Sequence, residues 1–402
     1  MRTAKVFYTT RISFALVWAM LTTMSLVYFV EVAGLDPLQM ILIGTVLEAA
    51  VFVFEVPTGI VADLVSRRLS VIIGYTMMGV GWLITAAWPS FLPLLLAQIV
   101  WGVGYTFISG AFIAWYSGEV GREAASHDLL RSSQWAHAGT FAGIVLAVGI
   151  AQVSLAGVIW AGGVGLLLIA IFLQFNMRET QFTPARPDAR LTYASMRTGF
   201  LDGWTVMRVQ PVMIGLLVVA ALYGGFSEGL DRLFTPLLLE MYALPAIGPL
   251  NGYVWWGILA AVSAAIGFLA TGLVRRRVKL ENGPVLFRVL VWLLAGIGIG
   301  VALLPWLPGF IATLGLFWLV GGLRSAYGPL LSAWLIRRVD ETHKATILSM
   351  FGQADAVGQV IVGPGIGTLA RALGIGAALT LSALPLVPAG WLLARLRRQV
   401  QQ

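Results

Sequence analysis

The chain has 402 residues, 59% of them hydrophobic and 11% charged, with a net charge of +8 and no cysteine. Soluble domains carry about 25% charged residues, so polar groups cannot cover this apolar surface and lipid must solvate it. The missing cysteine excludes disulfides and thiol chemistry, and His127, His137 and His343 are too scattered to hold a metal, so no metal and no cofactor are expected.

Apolar stretches of about 20 residues recur along the whole chain. They predict about twelve membrane spans, near 12–32, 38–62, 69–88, 91–117, 129–152, 155–176, 210–240, 249–274, 284–304, 309–336, 345–370 and 373–394. The expected fold class is an all-α polytopic membrane protein. No cleavable signal is expected, because the first stretch is long and leads straight into further spans.

Span 1 carries Trp18, Met24 and Tyr28. Span 2 carries Glu48 and Glu55, seven apart and so on one helix face. It ends in Gly59-Ile60-Val61-Ala62-Asp63-Leu64-Val65-Ser66-Arg67-Arg68, a glycine, an acid and a basic pair at four-residue intervals. Span 4 brings Gln98, Trp101, Tyr105, Ser109 and Trp115, and span 5 brings Gln134, His137, Gly139 and Gly143.

A long hydrophilic stretch follows at 177–208. It opens with Pro184 and Pro187, then sets Tyr193, Met196, Phe200, Trp204 and Met207 at near-helical spacing among arginines. That pattern predicts an amphipathic helix on the membrane surface. It divides the chain into six spans at 1–176, a linker at 177–208 and six spans at 209–402.

Span 7 holds Tyr223, Phe226, Glu228, Asp231 and Arg232; the acid at 228 four residues before the base at 232 predicts an in-helix ion pair. Span 8 ends in an echo of the earlier motif, Gly267, Thr271, Arg275 and Arg276, 208 positions on, with a hydroxyl in place of Asp63. Span 10 carries Trp318, Arg324, Tyr327 and Trp334; span 11 carries Gln353, Asp355 and Gly363-Pro364.

A constant shift of 219 positions aligns Gly102 with Gly321, Ala114-Trp115 with Ala333-Trp334, Leu129 with Leu348, Gln134 with Gln353 and Gly139 with Gly358. One offset held across two consecutive spans predicts a repeated, pseudo-symmetric architecture.

The basic residues concentrate in alternate connections, among them Arg2, Lys5, Arg122, Arg131, Arg277, Lys279, Arg337, Arg338 and the terminal Arg395, Arg397 and Arg398. The other connections hold Glu31, Asp36 and Glu240, with Arg371 their only base. This is the positive-inside pattern with both termini cytoplasmic. The basic balance therefore serves topology and does not point to nucleic acid. Scarce lysine beside abundant alanine and glycine suggests a bacterial inner membrane.

Glu48, Glu55, Glu228, Asp231, Arg232, Arg324 and Asp355 all fall inside predicted spans. Each costs at least about 2.5–3.5 kcal/mol if it faces lipid unpaired. Five acids against two arginines leave 5 − 2 = 3 carboxylates without a basic partner. Such carboxylates can take up protons. Glu48, Glu55, Asp355, Glu228 and Asp231 are thus proton-coupling candidates. Arg324 is expected to pair with Asp355 or to bind an anionic group.

Twelve spans in two halves, a long central loop and the motif after span 2 resemble the major facilitator superfamily over the whole chain. The family pattern is G-x-x-x-D-R-x-G-R-[RK]; Gly59, Asp63, Arg67 and Arg68 match it, while Leu64 and Ser66 depart. The resemblance implies two pseudo-symmetric six-helix bundles, a cavity lined by spans 1, 4, 7 and 10, and alternating access. It implies that Gly59, Asp63, Arg67 and Arg68 form a cytoplasmic latch, with the acid at the start of span 11 near Lys344-Ala345-Thr346. Gly59 is expected to let span 2 approach a neighbour closely.

The chain is also similar to bacterial drug–proton antiporters. Their span-4 arginine is replaced by Gln98, and their span-5 Gly-Pro is absent.

Large aromatic groups in the presumed lining suit amphipathic cargo. Trp18, Tyr28, Tyr105, Gln134, Arg324, Tyr327 and Gln353 are the substrate-binding candidates. The expected function is proton-coupled efflux of lipophilic or amphipathic small molecules by a monomer in contact with membrane lipids. An importer or facilitator of a metabolite or lipid-like anion is the alternative. A membrane enzyme is disfavoured, because no nucleophile–base set or phosphate loop is present.

Overall fold

The computed structural model describes residues 2–182, 204–205, 207–208, 211–277, 283–339 and 344–399. The expected linker helix lies mostly outside them. Fourteen α-helices are found among the described residues: α1 (Arg2–Glu31), α2 (Pro37–Leu64), α3 (Arg67–Ala87), α4 (Phe91–Ile108), α5 (Ala111–Val120), α6 (Arg122–Ala151), α7 (Leu155–Asn176), α8 (Pro211–Met241), α9 (Val254–Arg277), α10 (Gly283–Leu303), α11 (Phe310–Arg338), α12 (Lys344–Leu373), α13 (Ile375–Ser382) and α14 (Leu386–Gln399). They make twelve segments long and apolar enough to cross a membrane, as expected from hydropathy. Two of these are interrupted, the fourth (α4 with α5) and the twelfth (α13 with α14).

Local chemistry sets the breaks. Gly110, between α4 and α5, has φ +71°, a conformation in which a Cβ would clash with the backbone. Asp36 and Gln39 form a reciprocal capping box at the start of α2: the Gln39 N–H donates to the Asp36 carboxylate at 2.9 Å, and the Asp36 N–H to the Gln39 amide oxygen at 3.0 Å. Ser66 and Ser154 cap α3 and α7 through the amides of Leu69 and Gly157, each at 3.0 Å.

The chain forms two compact units. One comprises Met1–Leu35, Val46–Thr192 and Leu244–Ile258; the other comprises Asp36–Thr45, Tyr193–Ala243 and Leu259–Gln402. In the first unit α1 packs on α6 and α7, and α3 on α4 and α7. In the second, α8 packs on α12 and α14, and α10 on α11 and α14.

Segment 244–258 joins the first unit through specific bonds. The Tyr253 hydroxyl donates to Glu31 at 2.6 Å, and the Asn251 N–H to the Gln152 side chain at 2.7 Å. Burial, reinforced by that hydrogen bond and by the Glu31 charge, pushes the Tyr253 phenol up to about 12, so it stays a donor at neutral pH.

Glycine makes the tightest helix crossings in both units. A Cβ on Gly139 would lie 2.5 Å from the Ile12 carbonyl oxygen, and one on Gly143 2.1 Å from that of Leu16. In the second unit, a Cβ on Gly358 would lie 1.8 Å from the Ala221 carbonyl oxygen. The partners are related by one offset, because 221 − 12 = 209 and 225 − 16 = 209. At the next turn the roles reverse: the counterpart of Gly143 is Val362 (143 + 219 = 362), and the small residue sits opposite it as Gly225. Small residues at such crossings let backbones meet closely where lipid supplies no hydrophobic drive.

Candidate functional site

In the second unit α8, α11 and α12 bring a polar group together within the span region. The Arg324 guanidinium on α11 grips the Asp231 carboxylate on α8 with both arms, at 2.5 and 2.9 Å. Its Nε–H reaches the Tyr223 hydroxyl at 3.4 Å, and its Cζ lies 5.8 Å from the centre of the Phe226 ring. Tyr223 and Tyr327 stack at 4.7 Å, with 16° between their planes. Fork-to-carboxylate pairing of this kind fixes both side chains.

This corrects the expected partnership. Arg324 holds Asp231 and not Asp355, which on α12 accepts a hydrogen bond from the Gln359 amide at 2.8 Å. Among the described residues Asp355 has no ion pair. Sequence spacing cannot see this choice, because Asp231 and Arg324 sit on helices whose relative rotation is set by tertiary packing.

Glu228 and Arg232 form the expected in-helix pair, at 3.2 Å, with Glu228 fully buried. The room for it comes from Gly44, near the start of α2. A Cβ there would lie 2.1 Å from the Glu228 carboxylate and 2.4 Å from the Arg232 Nε. Gly363 and Gly367 of α12 make matching room for Ile41 and Leu38. Residues 36–45 thus belong to the second unit by packing on this ion pair.

In the first unit the aromatic residues form a ladder. Phe14 stacks on Trp18 (5.9 Å), Trp18 on Trp101 (5.5 Å) and Trp101 on Tyr105 (5.9 Å). Tyr105 is 42% exposed, so the ladder ends on an open ring. Glu48 and Glu55 are close enough to act electrostatically on its hydroxyl. Glu55 also accepts a hydrogen bond from Ser109 at 2.6 Å, beside the Gly110 break.

Tyr28, a substrate-binding candidate, packs between α1 and α3. It is fully buried, and its hydroxyl donates to the Thr85 carbonyl of α3 at 3.0 Å. Trp115 is likewise buried, with its indole N–H on the Arg178 carbonyl at 2.8 Å. Gln134 is exposed and Gln353 half-buried. A separate cavity of about 320 Å³ between α1 and α7, lined by Thr9, Ser13, Val17, Gly165 and Phe172 among others, contains none of the predicted site residues.

The motif after span 2 forms the α2–α3 corner. Asp63 and Arg67 lie 3.9 Å apart and partly exposed. Arg67 donates to the Ala114 carbonyl of α5 at 3.1 Å. Arg68 donates to the Gln174 and Met177 carbonyls at the end of α7, at 2.6 and 2.7 Å. Cations at a helix C-terminus complement its dipole.

The converse partner is Glu179, which the sequence reading passed over. Its carboxylate accepts from Ser66 Oγ at 2.5 Å and from the Arg67 N–H at 2.9 Å, at the N-terminus of α3. Only the fold brings residue 179 beside residue 66. Gly59 does not serve the close approach expected of it, since a Cβ there would meet nothing within 4 Å. The side chains of Lys344, Ala345 and Thr346 at the start of α12, the expected partner of Asp63, lie outside the described residues. Thr271, the echo of Asp63, spends its hydroxyl on the Gly267 carbonyl of its own helix at 2.8 Å.

The chain matches the sequence profile of the Major Facilitator Superfamily over residues 7–361. It is 31% identical over 99 residues to the uncharacterized MFS-type transporter YxaM of Bacillus subtilis (strain 168), a match spanning 25% of this chain and 25% of that protein.

Among solved structures it is similar to a mutant of the nucleoside transporter NupG, with TM-score 0.77 and 15% identity, covering 98% of this chain and 100% of that one. It is also similar to a bacterial homolog of the human lysosomal transporter Spinster, with TM-score 0.75 and 14% identity, covering 99% and 97%. A POT family transporter in complex with 5-aminolevulinic acid gives TM-score 0.73 at 13% identity, covering 100% and 97%. At these identities the likeness concerns the fold. Twelve apolar helices and a family profile over most of the length make this chain a member of the major facilitator superfamily, a multi-pass membrane transporter and not an enzyme.

Proposed function

We propose that the protein exports amphipathic organic molecules by proton-coupled alternating access. It would do so as a monomer in a bacterial inner membrane, with both termini cytoplasmic and two six-span bundles, 1–176 and 209–402, joined by the linker at 177–208. The observation that carries the coupling is Asp355. It is a half-buried carboxylate inside a span whose hydrogen-bond partner is the neutral Gln359, while the neighbouring arginine is engaged by Asp231. A carboxylate so placed exchanges a proton more readily than one held by a cation.

Glu48 is the second proton site in this reading, near the open end of the aromatic ladder. Phe14, Trp18, Trp101 and Tyr105 supply flat apolar surface for cargo, and Tyr223 and Tyr327 supply it in the other unit. Gly59, Asp63, Arg67 and Arg68 act as the cytoplasmic latch.

The test is flux in proteoliposomes with and without an imposed pH gradient, on hits from a thermal-shift screen of amphipaths. Glu48→Gln and Asp355→Asn are expected to flatten the dependence of flux on pH while leaving binding in place. An unchanged pH dependence in both variants would refute these sites. Flux that runs inward along with protons would replace export with import.

A further inference from the structure

Arg11 lies inside α1, one residue before the first span that hydropathy predicts. Among the described residues it has neither an ion pair nor a hydrogen bond, and its Nε is buried without an acceptor. A guanidinium cannot escape this by losing its proton. Unpaired cations within a span face water or a ligand, and they mark functional sites.

The neighbours of α1 show where Arg11 points. Ile12, Leu16 and Ala19 meet the glycines of α6; Val17 and Leu21 meet those of α7. Phe14 and Trp18 meet Tyr75 and Trp101. Arg11 shares the face of Phe14 and Trp18, three and seven residues on. It sits close enough to Tyr75 for its charge to act on that phenol. The guanidinium is therefore set beside the start of the aromatic ladder, about 10 Å along the axis from Trp18 at 1.5 Å per residue. Phe14 meets Tyr75, and the adjacent Gly74 meets Gly104, so Tyr105, with Glu48 and Glu55 acting on it, stands towards the same end of the unit as Arg11.

We propose that Arg11 is an anion subsite for the cargo: it binds a carboxylate, sulfonate or phosphate whose flat apolar body lies against Phe14 and Trp18. The inference rests on the transport reading above and narrows its cargo to amphipathic anions. Arg324, already held by Asp231, does not serve this role.

The test uses purified full-length protein in neutral detergent and three probes of one shape: naphthalene-2-carboxylate, naphthalene-2-sulfonate and the neutral naphthalene-2-carboxamide. Binding is read by tryptophan fluorescence and calorimetry. The wild type is expected to prefer the anions by about tenfold, equivalent to 1.4 kcal/mol. Arg11→Gln should abolish the preference, and Arg11→Lys, a point charge without the fork, should keep part of it. If Arg11→Gln is not monodisperse, the Arg11→Lys shift alone decides. Equal binding of anion and amide by the wild type, or an unchanged preference in the variant, overturns the proposal.

Loss of anion binding on adding phosphatidylglycerol, with no anion flux in proteoliposomes, would make Arg11 a lipid-headgroup site and equally overturn it. The two readings fail separately. Proton-driven flux of a neutral or cationic amphipath without any anion preference removes only the Arg11 subsite. An Arg11-dependent anion preference in a protein that moves no solute removes only the transport reading.

Discussion

Arg324 and Asp231 are a pair whose value depends on both members being present. Their side chains are 23% and 49% exposed, so the attraction is partly screened, yet the fork geometry and the span environment keep it from being a surface pair. Asp231→Asn leaves the guanidinium without its counter-charge and is expected to destabilise the protein by about 1–2 kcal/mol, between the exposed and buried limits. The double variant Asp231→Asn with Arg324→Gln should regain most of that loss. Thermal unfolding of both single variants and the double variant checks this, and a loss in the double variant equal to the sum of the two single losses would show that the charges are not coupled. Sequence reading found both residues and mismatched one of them. Composition gives the number of charges in the spans, whereas partner choice depends on which helix faces turn towards each other.

The helix crossings show what small residues do at the scale of elements. Gly358→Ala would place a Cβ 1.8 Å from a backbone carbonyl oxygen, which cannot swing aside as a side chain can. It is expected to abolish monodisperse, folded protein on size-exclusion chromatography. Gly59→Ala meets nothing within 4 Å and should fold as the wild type does; slowed flux in that variant would place the glycine's role in a conformation other than this one. The 219-residue repeat was legible because Gly139 and Gly358 occupy the same crossing. Its second point was hidden, because the glycine moves from α6 in one unit (Gly143) to α8 in the other (Gly225), and only the packed helices reveal the exchange. Glu179 was hidden for a related reason, since a cap supplied from more than a hundred residues away leaves no local pattern.

For the whole molecule the predictions concern the transport cycle. Asp63→Asn should leave the fold intact, because its contact with Arg67 is long, 3.9 Å, and partly exposed. It should slow flux if the acid latches the cytoplasmic side, and unaltered flux would remove the latch. Twelve spans and membership of a transporter superfamily were determined by the sequence itself, through hydrophobic segment length, the motif around Asp63 and one repeated offset. These are properties of local composition and spacing, and lipid enforces them on any chain that carries them. Tertiary structure alone decided that Arg324 holds Asp231, that the Tyr28 hydroxyl meets the Thr85 carbonyl, and that Arg11, without a partner among the described residues, stands beside the aromatic ladder. Each depends on how a helix is rotated about its axis, and that rotation is fixed by side chains meeting across helices far apart in the chain.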